Sequence, residues 1–301
     1  MNMVEKRIEA KSKADVFYVY PIGDPHIGAF NCAESHLRAF VDYIKNQPHS
    51  YWFGGGDYCN AITPSDVNRY DVRALADWIF TGKAMNIKEA LLDIAKQERE
   101  RFCKIVEPIK DKCLGLIEGN HEYQLMNRSH NGHHYIMCDE LGVPNLTDCA
   151  FIRLNFKIPK GSGRSVIFFV LHGWGGGRTP GAEPNHLMRA GQIADADVIL
   201  RGHSHTFRIE PSEPHLYIPS SGSLPDECYQ REVFKGNWGC WVKSFAKGPS
   251  TYDSRANYPA RPLKAIEVKI KPNHCFNVRV LGKKVVQTKP LIMMRECSYE
   301  F

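Results

Sequence analysis

The chain has 301 residues, which is long enough to bury a sizeable core. No apolar run is long enough to span a bilayer, and residues 1–15 are charged, without the apolar stretch of a secretion signal. A membrane-embedded role by helices is therefore excluded, and the expected setting is cytoplasmic. The formal net charge is +6, and residues 261–301 hold nine Lys or Arg against three Glu, so the basic excess sits in the tail and points to an anionic partner.

In chain order, Val16 to Ile22 is an apolar, β-branched and aromatic run that stops at Gly23 and reads as a buried strand. Glu34 to Ile44 places Leu37, Phe40, Val41 and Ile44 at helical spacing, and Ser50 to Phe53 is a short strand before three glycines. Asp66 to Ile109 is expected to be mostly helical, with Gly82 separating two helices. Cys113 to Ile117 and Val166 to Leu171 read as strands, the latter apolar throughout and so buried on both faces. Pro184 to Ala194 reads as a helix and Asp197 to Leu200 as a strand. Pro211 to Pro262, rich in Gly, Pro, Ser and Tyr, is expected to form long loops over the site. In the tail, Ile266, Val268 and Ile270 alternate with Glu267, Lys269 and Lys271, and Phe276, Val278 and Val280 repeat the pattern. That is the signature of half-exposed antiparallel strands with lysines on the outer face. There is no internal repeat, and one domain is the simplest organisation, with a helical insertion at about 64–112 and a basic β tail at about 261–301.

Ten cysteines are scattered without a C-x-x-C pair, which suits reduced thiols and not a zinc–thiolate site.

Five short motifs carry the chemistry. They are Gly23-Asp24-Pro25-His26, Gly56-Asp57, Gly119-Asn120-His121-Glu122, His172-Gly173 and Gly202-His203-Ser204-His205. Each falls where a strand should end, the usual place for ligands in α/β folds. Asp24 and His26 are two residues apart and can point to one side of an extended loop, as can His203 and His205. Asp57 follows three glycines, which permit tight turns and leave its carboxylate free to bridge two ions. Asn120 offers a neutral carbonyl oxygen. Neutral imidazole and ionised carboxylate, the forms that bind metal, both prevail near neutral pH.

With all five motifs in this order over about residues 16–224, the chain resembles the calcineurin-like metallophosphoesterases. The resemblance implies an α/β, four-layer β-sandwich of two mixed sheets flanked by helices. It implies two divalent metals: one on Asp24, His26, Asp57 and His205, the other on Asp57, Asn120, His172 and His203, with Asp57 shared. Manganese is the expected metal, with Fe, Zn and Ni also acceptable to N/O ligands. The implied reaction is hydrolysis of a phosphate ester by a metal-bridging hydroxide, with His121 as the catalytic histidine that protonates the leaving group or binds the phosphate. Many family members carry an acid three positions after the bridging Asp; here that position is Asn60, which can hold the His121 ring but cannot stabilise its cation. Glu122 or a group of the substrate is the alternative source of that charge.

Other residues have competing readings. Gly175-Gly176-Gly177-Arg178 is either a phosphate cradle, with Arg178 and Asn120 touching substrate, or a plain glycine-rich loop. His130, His133 and His134 read as a solvated loop before they read as a third metal site. Tyr217, Tyr229, Phe234, Trp238 and Trp241 read as packing of a small lid before a nucleobase stack. The substrate class expected is a phosphodiester, on the form of the opening and closing motifs and the lack of an Arg-rich clamp after Gly56-Asp57. A DNA or RNA nuclease and a nucleotide phosphodiesterase are the specific candidates. A metal-free interaction module is the rival from another class, disfavoured because no ligand position is lost.

Overall fold

A computed structural model describes residues 1–81, 93–129, 132–175, 179, 181–217, 229–280 and 283–299. Two mixed sheets form its centre. The larger joins strands β1 (Asn2–Glu9), β5 (Cys149–Lys157), β6 (Arg164–Leu171), β7 (Val198–Arg201), β10 (Tyr229–Trp238) and β8 (Phe207–Ile209) in that order, with β9 (Glu213–Tyr217) also paired to β10. The smaller runs β12 (Lys283–Glu296), β11 (Ile266–Val280), β2 (Phe17–Ile22), β3 (Ser50–Gly54) and β4 (Cys113–Leu116). In the smaller sheet β2, β3 and β4 are parallel, and β11 is antiparallel to β2. In the larger one β6, β7 and β10 are parallel.

The period of two in β2 explains the layering. Phe17 and Val19 face Ile152, Leu154, Phe168, Val198 and Leu200 of the other sheet, with Phe53 and Leu114 beside them. Tyr20 and Ile22 face outward into helices. There α1 (Glu34–Asn46) buries Leu37, Phe40, Val41 and Ile44, the stripe its spacing predicts. Helices α2 (Ile94–Val106) and α4 (His133–Leu141) complete that cluster with Phe102, Ile105, Met137 and Leu141. On the far face of the larger sheet, α5 (Ala182–Ile193) sets Ala190 against Phe169, Ile199 and Val233. The order helix, sheet, sheet, helix is the expected four-layer sandwich. Helix α3 (Asn120–Ser129) follows β4, and a short α6 (Tyr252–Ala256) precedes the tail.

Several expectations need correction. Residues 66–81 are not a helix: only 3₁₀ turns at Val72–Ala74 and Asp77–Phe80 form there, and Gly82 lies outside the described residues. The stretch from Pro211 to Pro262 is not all loop. It contains β9, β10 and α6, and β10 is an inner strand. Its buried Lys235 and Asn237 hid it, because polar residues on an inward face break the apolar pattern. The tail does form an antiparallel hairpin, but its first half is covered on both faces. Glu267 is buried there, accepting hydrogen bonds from Tyr20 (3.0 Å) and Arg295 (2.7 Å). The nine described cysteines are free thiols. No described helix is long and apolar enough to cross a membrane.

Candidate metal centre

The carboxyl ends of β2, β3 and β4 in one sheet, and of β6 and β7 in the other, open at one edge of the sandwich. The loops leaving them bring Asp24, His26, Asp57, Asn120, His172, His203 and His205 together. Three clusters have ligand atoms within 4.8 Å of one another: Asp24, His26 and His205; Asp57, His172 and His203; and His26, Asp57 and His121. Asp57 thus touches both halves. Its Oδ2 lies 3.8 Å from His26 Nε2 and 3.3 Å from His172 Nε2. Asn120 Oδ1 closes the second half, 3.1 Å from His172 Nε2 and 2.6 Å from His203 Nδ1.

The backbone is strained where these groups converge. Asp24, His26, Asp57, His203 and His205 all have left-handed φ, from 47° to 68°. Such angles are unfavourable for side chains with a Cβ, by about 1–3 kcal/mol each, and persist where surrounding structure over-determines them. Glu122 supplies part of that determination. Its buried carboxylate accepts hydrogen bonds from the amides of Asp57 (2.9 Å), Cys59 (3.1 Å) and Gly119 (3.1 Å). Burial and the neighbouring Asp57 raise its carboxyl to about 8, against the opposing pull of these amides. Glu122 therefore ties the Asp57 loop to the start of α3.

Trp238 is the site residue that sequence reasoning assigned elsewhere. It ends β10, is buried, and donates its indole N–H to Asp24 Oδ2 at 2.8 Å. A Cβ at Gly23, Gly55 or Gly202 would collide with this indole. The opening glycines of two motifs, Gly23 and Gly202, and Gly55 just before a third are thus explained by one side chain beneath the centre. Neighbouring Asn237 donates to Glu183 (2.7 Å) and Ser204 (2.9 Å), and Glu183 pairs with buried Arg201 at 3.1 Å. This network fixes the loop that carries His203 and His205. Trp241 also belongs to the core, 5.2 Å from the Phe40 ring, and is no lid.

His172 donates through Nδ1 to Gly55 O at 2.7 Å, which leaves its Nε2 lone pair facing Asp57 and Asn120. Burial alone would lower this imidazole, but Asp57 outweighs burial and raises it to about 9. His26 and His205 face each other through Nε2 at 2.9 Å, so at most one proton lies between them. Asp24 Oδ1 is buried without a well-formed hydrogen bond, 3.4 Å from His205 Nε2. Lone pairs outnumber the protons available to meet them, and the N/O donors suit divalent Mn, Fe, Zn or Ni. The residues fit a metal pair.

His121 sits beside this set. Its amide donates to Asp57 Oδ1 (2.9 Å), and its Nδ1 is 2.5 Å from the main-chain carbonyl of Asn60. The Asn60 backbone therefore orients the ring through Nδ1, while the ring stands with His26 and Asp57 in one of the three clusters. Burial lowers its pKa, with Asp57 opposing. Arg178, with Gly176 and Gly177, lies outside the described residues, as does His130. His133 and His134 form no solvated loop. They are buried in α4, with Arg99 3.3 Å from one and Asn145 3.1 Å from the other.

The resemblance to calcineurin-like metallophosphoesterases thus extends from five motifs to the two-sheet sandwich and the convergence of the seven side chains. No protein-family model and no curated protein matches the sequence. Among solved structures, a single mutant of Vps29 from Entamoeba histolytica aligns over 92% of this chain and 99% of its own, at 11% identity and TM-score 0.36. A protein of Streptococcus pneumoniae described as a predicted phosphoesterase aligns over 93% and 99%, at 12% identity and TM-score 0.32. The NAD nucleotidase NadN of Haemophilus influenzae aligns over 93% of this chain and 51% of its own, at 12% identity and TM-score 0.36. These superpositions are loose, and the reading of the site rests on its own geometry.

Proposed function

We infer that the protein is a dinuclear metal-dependent phosphoesterase, and specifically a phosphodiesterase, working in the cytoplasm with manganese. The observation that carries this is Asp57: one buried carboxylate from which Oδ2 faces His26 on one side and His172 on the other. A pair of divalent cations at such a site supplies an activated water and neutralises charge on the phosphoryl oxygens. The chain's own residues do the rest. Asp24, His26 and His205 would hold one ion, Asn120, His172 and His203 the other, and Asp57 would be shared. His121, oriented by the Asn60 carbonyl, offers Nε2 to the leaving oxygen or to the phosphate. His121, His203 and His205 are only partly buried, so substrate reaches the centre from their side. Arg178 is the proposed further contact to phosphate.

Among specific diesterases, a nuclease has in its favour the opening motifs, which resemble the repair-nuclease branch, and the basic tail. Val268 pairs with Val19 and Ile270 with Phe17, so β11 runs antiparallel to β2, away from the metal end. The ten residues from Ile270 to Val280 carry the chain roughly 33 Å further. The far end of β11 therefore runs away from the centre, while Arg261 at the start of the tail donates to the main-chain carbonyl of Ser204, between His203 and His205. Against a metal-free interaction module stands the presence of all seven side chains. The deciding experiment measures bound Mn, Fe, Zn and Ni in purified protein and hydrolysis of bis-p-nitrophenyl phosphate with Mn²⁺. Metal binding with turnover is expected; neither metal nor turnover would make the protein a binding module.

A further inference from the structure

The loop after β6 presents an aromatic surface at the rim of the centre. Trp174, two residues beyond His172, is 66% exposed. Trp52, Trp238 and Trp241 are buried, and Trp78 packs against the core beneath the Arg101 guanidinium. The Trp174 indole lies parallel to the His203 ring, with planes 3° apart and centroids 6.2 Å apart. His203 in turn faces Asn120 at the second metal position.

The position of this indole is built. Gly173 and Gly175 flank it with φ of 91° and 75°, angles that suit glycine. A Cβ at Gly173 would lie 2.7 Å from the Arg201 guanidinium, so glycine lets the loop rest directly on that side chain. Arg201 is held by Glu183, and Glu183 by Asn237. A buried ionic network therefore seats the loop, while the large ring it carries stays in water. Leaving an indole face exposed forgoes the stabilisation of burying it, unless a ligand covers it.

We propose that Trp174 is a stacking platform for a nucleobase, so that the substrate class is nucleotide-containing phosphate esters. This rests on the phosphoesterase reading, which puts the phosphate at the metal centre, and adds what covers the rim. Among biological phosphate esters, nucleotides carry a flat π-faced group within one sugar of the phosphorus. Trp174 binds that group and takes no part in bond cleavage.

The test uses the full-length, Mn²⁺-loaded protein, with adenosine 5′-monophosphate and ribose 5-phosphate as probes that differ only in the base. Binding is followed by tryptophan emission and by calorimetry. The nucleotide should quench the exposed component of the emission and bind about 5- to 150-fold more tightly than ribose 5-phosphate, the range typical of one base–aromatic stack. Trp174→Ala should lose that preference and that quenching while keeping its manganese and its affinity for ribose 5-phosphate. Trp174→Phe should keep much of the preference. Equal affinity for both probes in the wild type, or an undiminished preference in Trp174→Ala, overturns the platform and leaves the phosphoesterase reading standing. If ribose 5-phosphate itself fails to bind the loaded protein, the phosphate site falls and the platform with it.

Discussion

Two sets of histidines in this chain have opposite surroundings. His133 and His134 in α4 are 4% and 1% exposed, yet each ring meets few polar groups. His134 has the Asn145 side chain and lies parallel to the Tyr58 ring, and His133 has Arg99. At the strand ends, His26, His172, His203 and His205 face one another and two carboxylates. Burial, joined by Arg99 at His133, lowers both α4 imidazoles to about 4 and keeps them neutral core residues. At the strand ends the neighbours decide: the carboxylates lift His172 to about 9, while burial and the facing His172 lower His203 to about 4. Convergence of lone pairs on left-handed backbone, and not burial of a histidine, is what marks a site.

The contrast can be broken most severely at Asp57. Asp57→Asn should lower kcat/KM for bis-p-nitrophenyl phosphate by on the order of 10³-fold or more, about 4 kcal/mol of transition-state stabilisation. Normal turnover in that variant would remove the shared carboxylate from the account. His121→Ala should keep metal content and lower kcat by about 10²–10⁴-fold, most for poor leaving groups; an equal loss across a leaving-group series would assign His121 to phosphate binding alone. Trp238→Phe removes the N–H that donates to Asp24 together with the indole edge packed on Gly23, Gly55 and Gly202, and should weaken metal affinity about 10–100-fold in a chelator-competition titration. Unchanged affinity would reduce Trp238 to packing.

The smallest effect sharpens the other side of the contrast. His134 is held neutral by burial, with a folded pKa of about 4. The unfolded chain protonates it near 6.5. Its contribution is therefore present above pH 6.5 and is lost as pH falls towards 4, reaching on the order of 3 kcal/mol at the acid limit. In urea titrations of the metal-free protein, the stability gap between wild type and His134→Gln should narrow from pH 7 to pH 4.5. A gap independent of pH would contradict a neutral, desolvated ring.

Much of this architecture was legible because apolar periodicity and strand-end motifs coincide. Phe17–Ile22, Glu34–Asn46 and Ser50–Gly54 announce themselves by pattern, and the five motifs point to the seven side chains that the fold gathers. What escaped did so for physical reasons. Strand β1 reads as a charged terminus because only alternate residues from Val4 to Ile8 turn inward against β5. Strand β10 hides behind Lys235 and Asn237, polar groups buried for the sake of partners such as Glu213 and Glu183. Trp238 was visible as an aromatic, but its link to Asp24 crosses 214 residues. The clue available in sequence was the glycine at Gly23, Gly55 and Gly202, just ahead of ligand residues, which signals close approach by another group.

The central claim is that one centre holds two ions that share Asp57. Electron paramagnetic resonance of the protein titrated with Mn²⁺ tests it most directly. Saturation at two ions per chain, with a spin-coupled spectrum that Asp57→Asn abolishes, is the predicted result. Saturation at one ion, or two ions giving only uncoupled six-line signals, would contradict it.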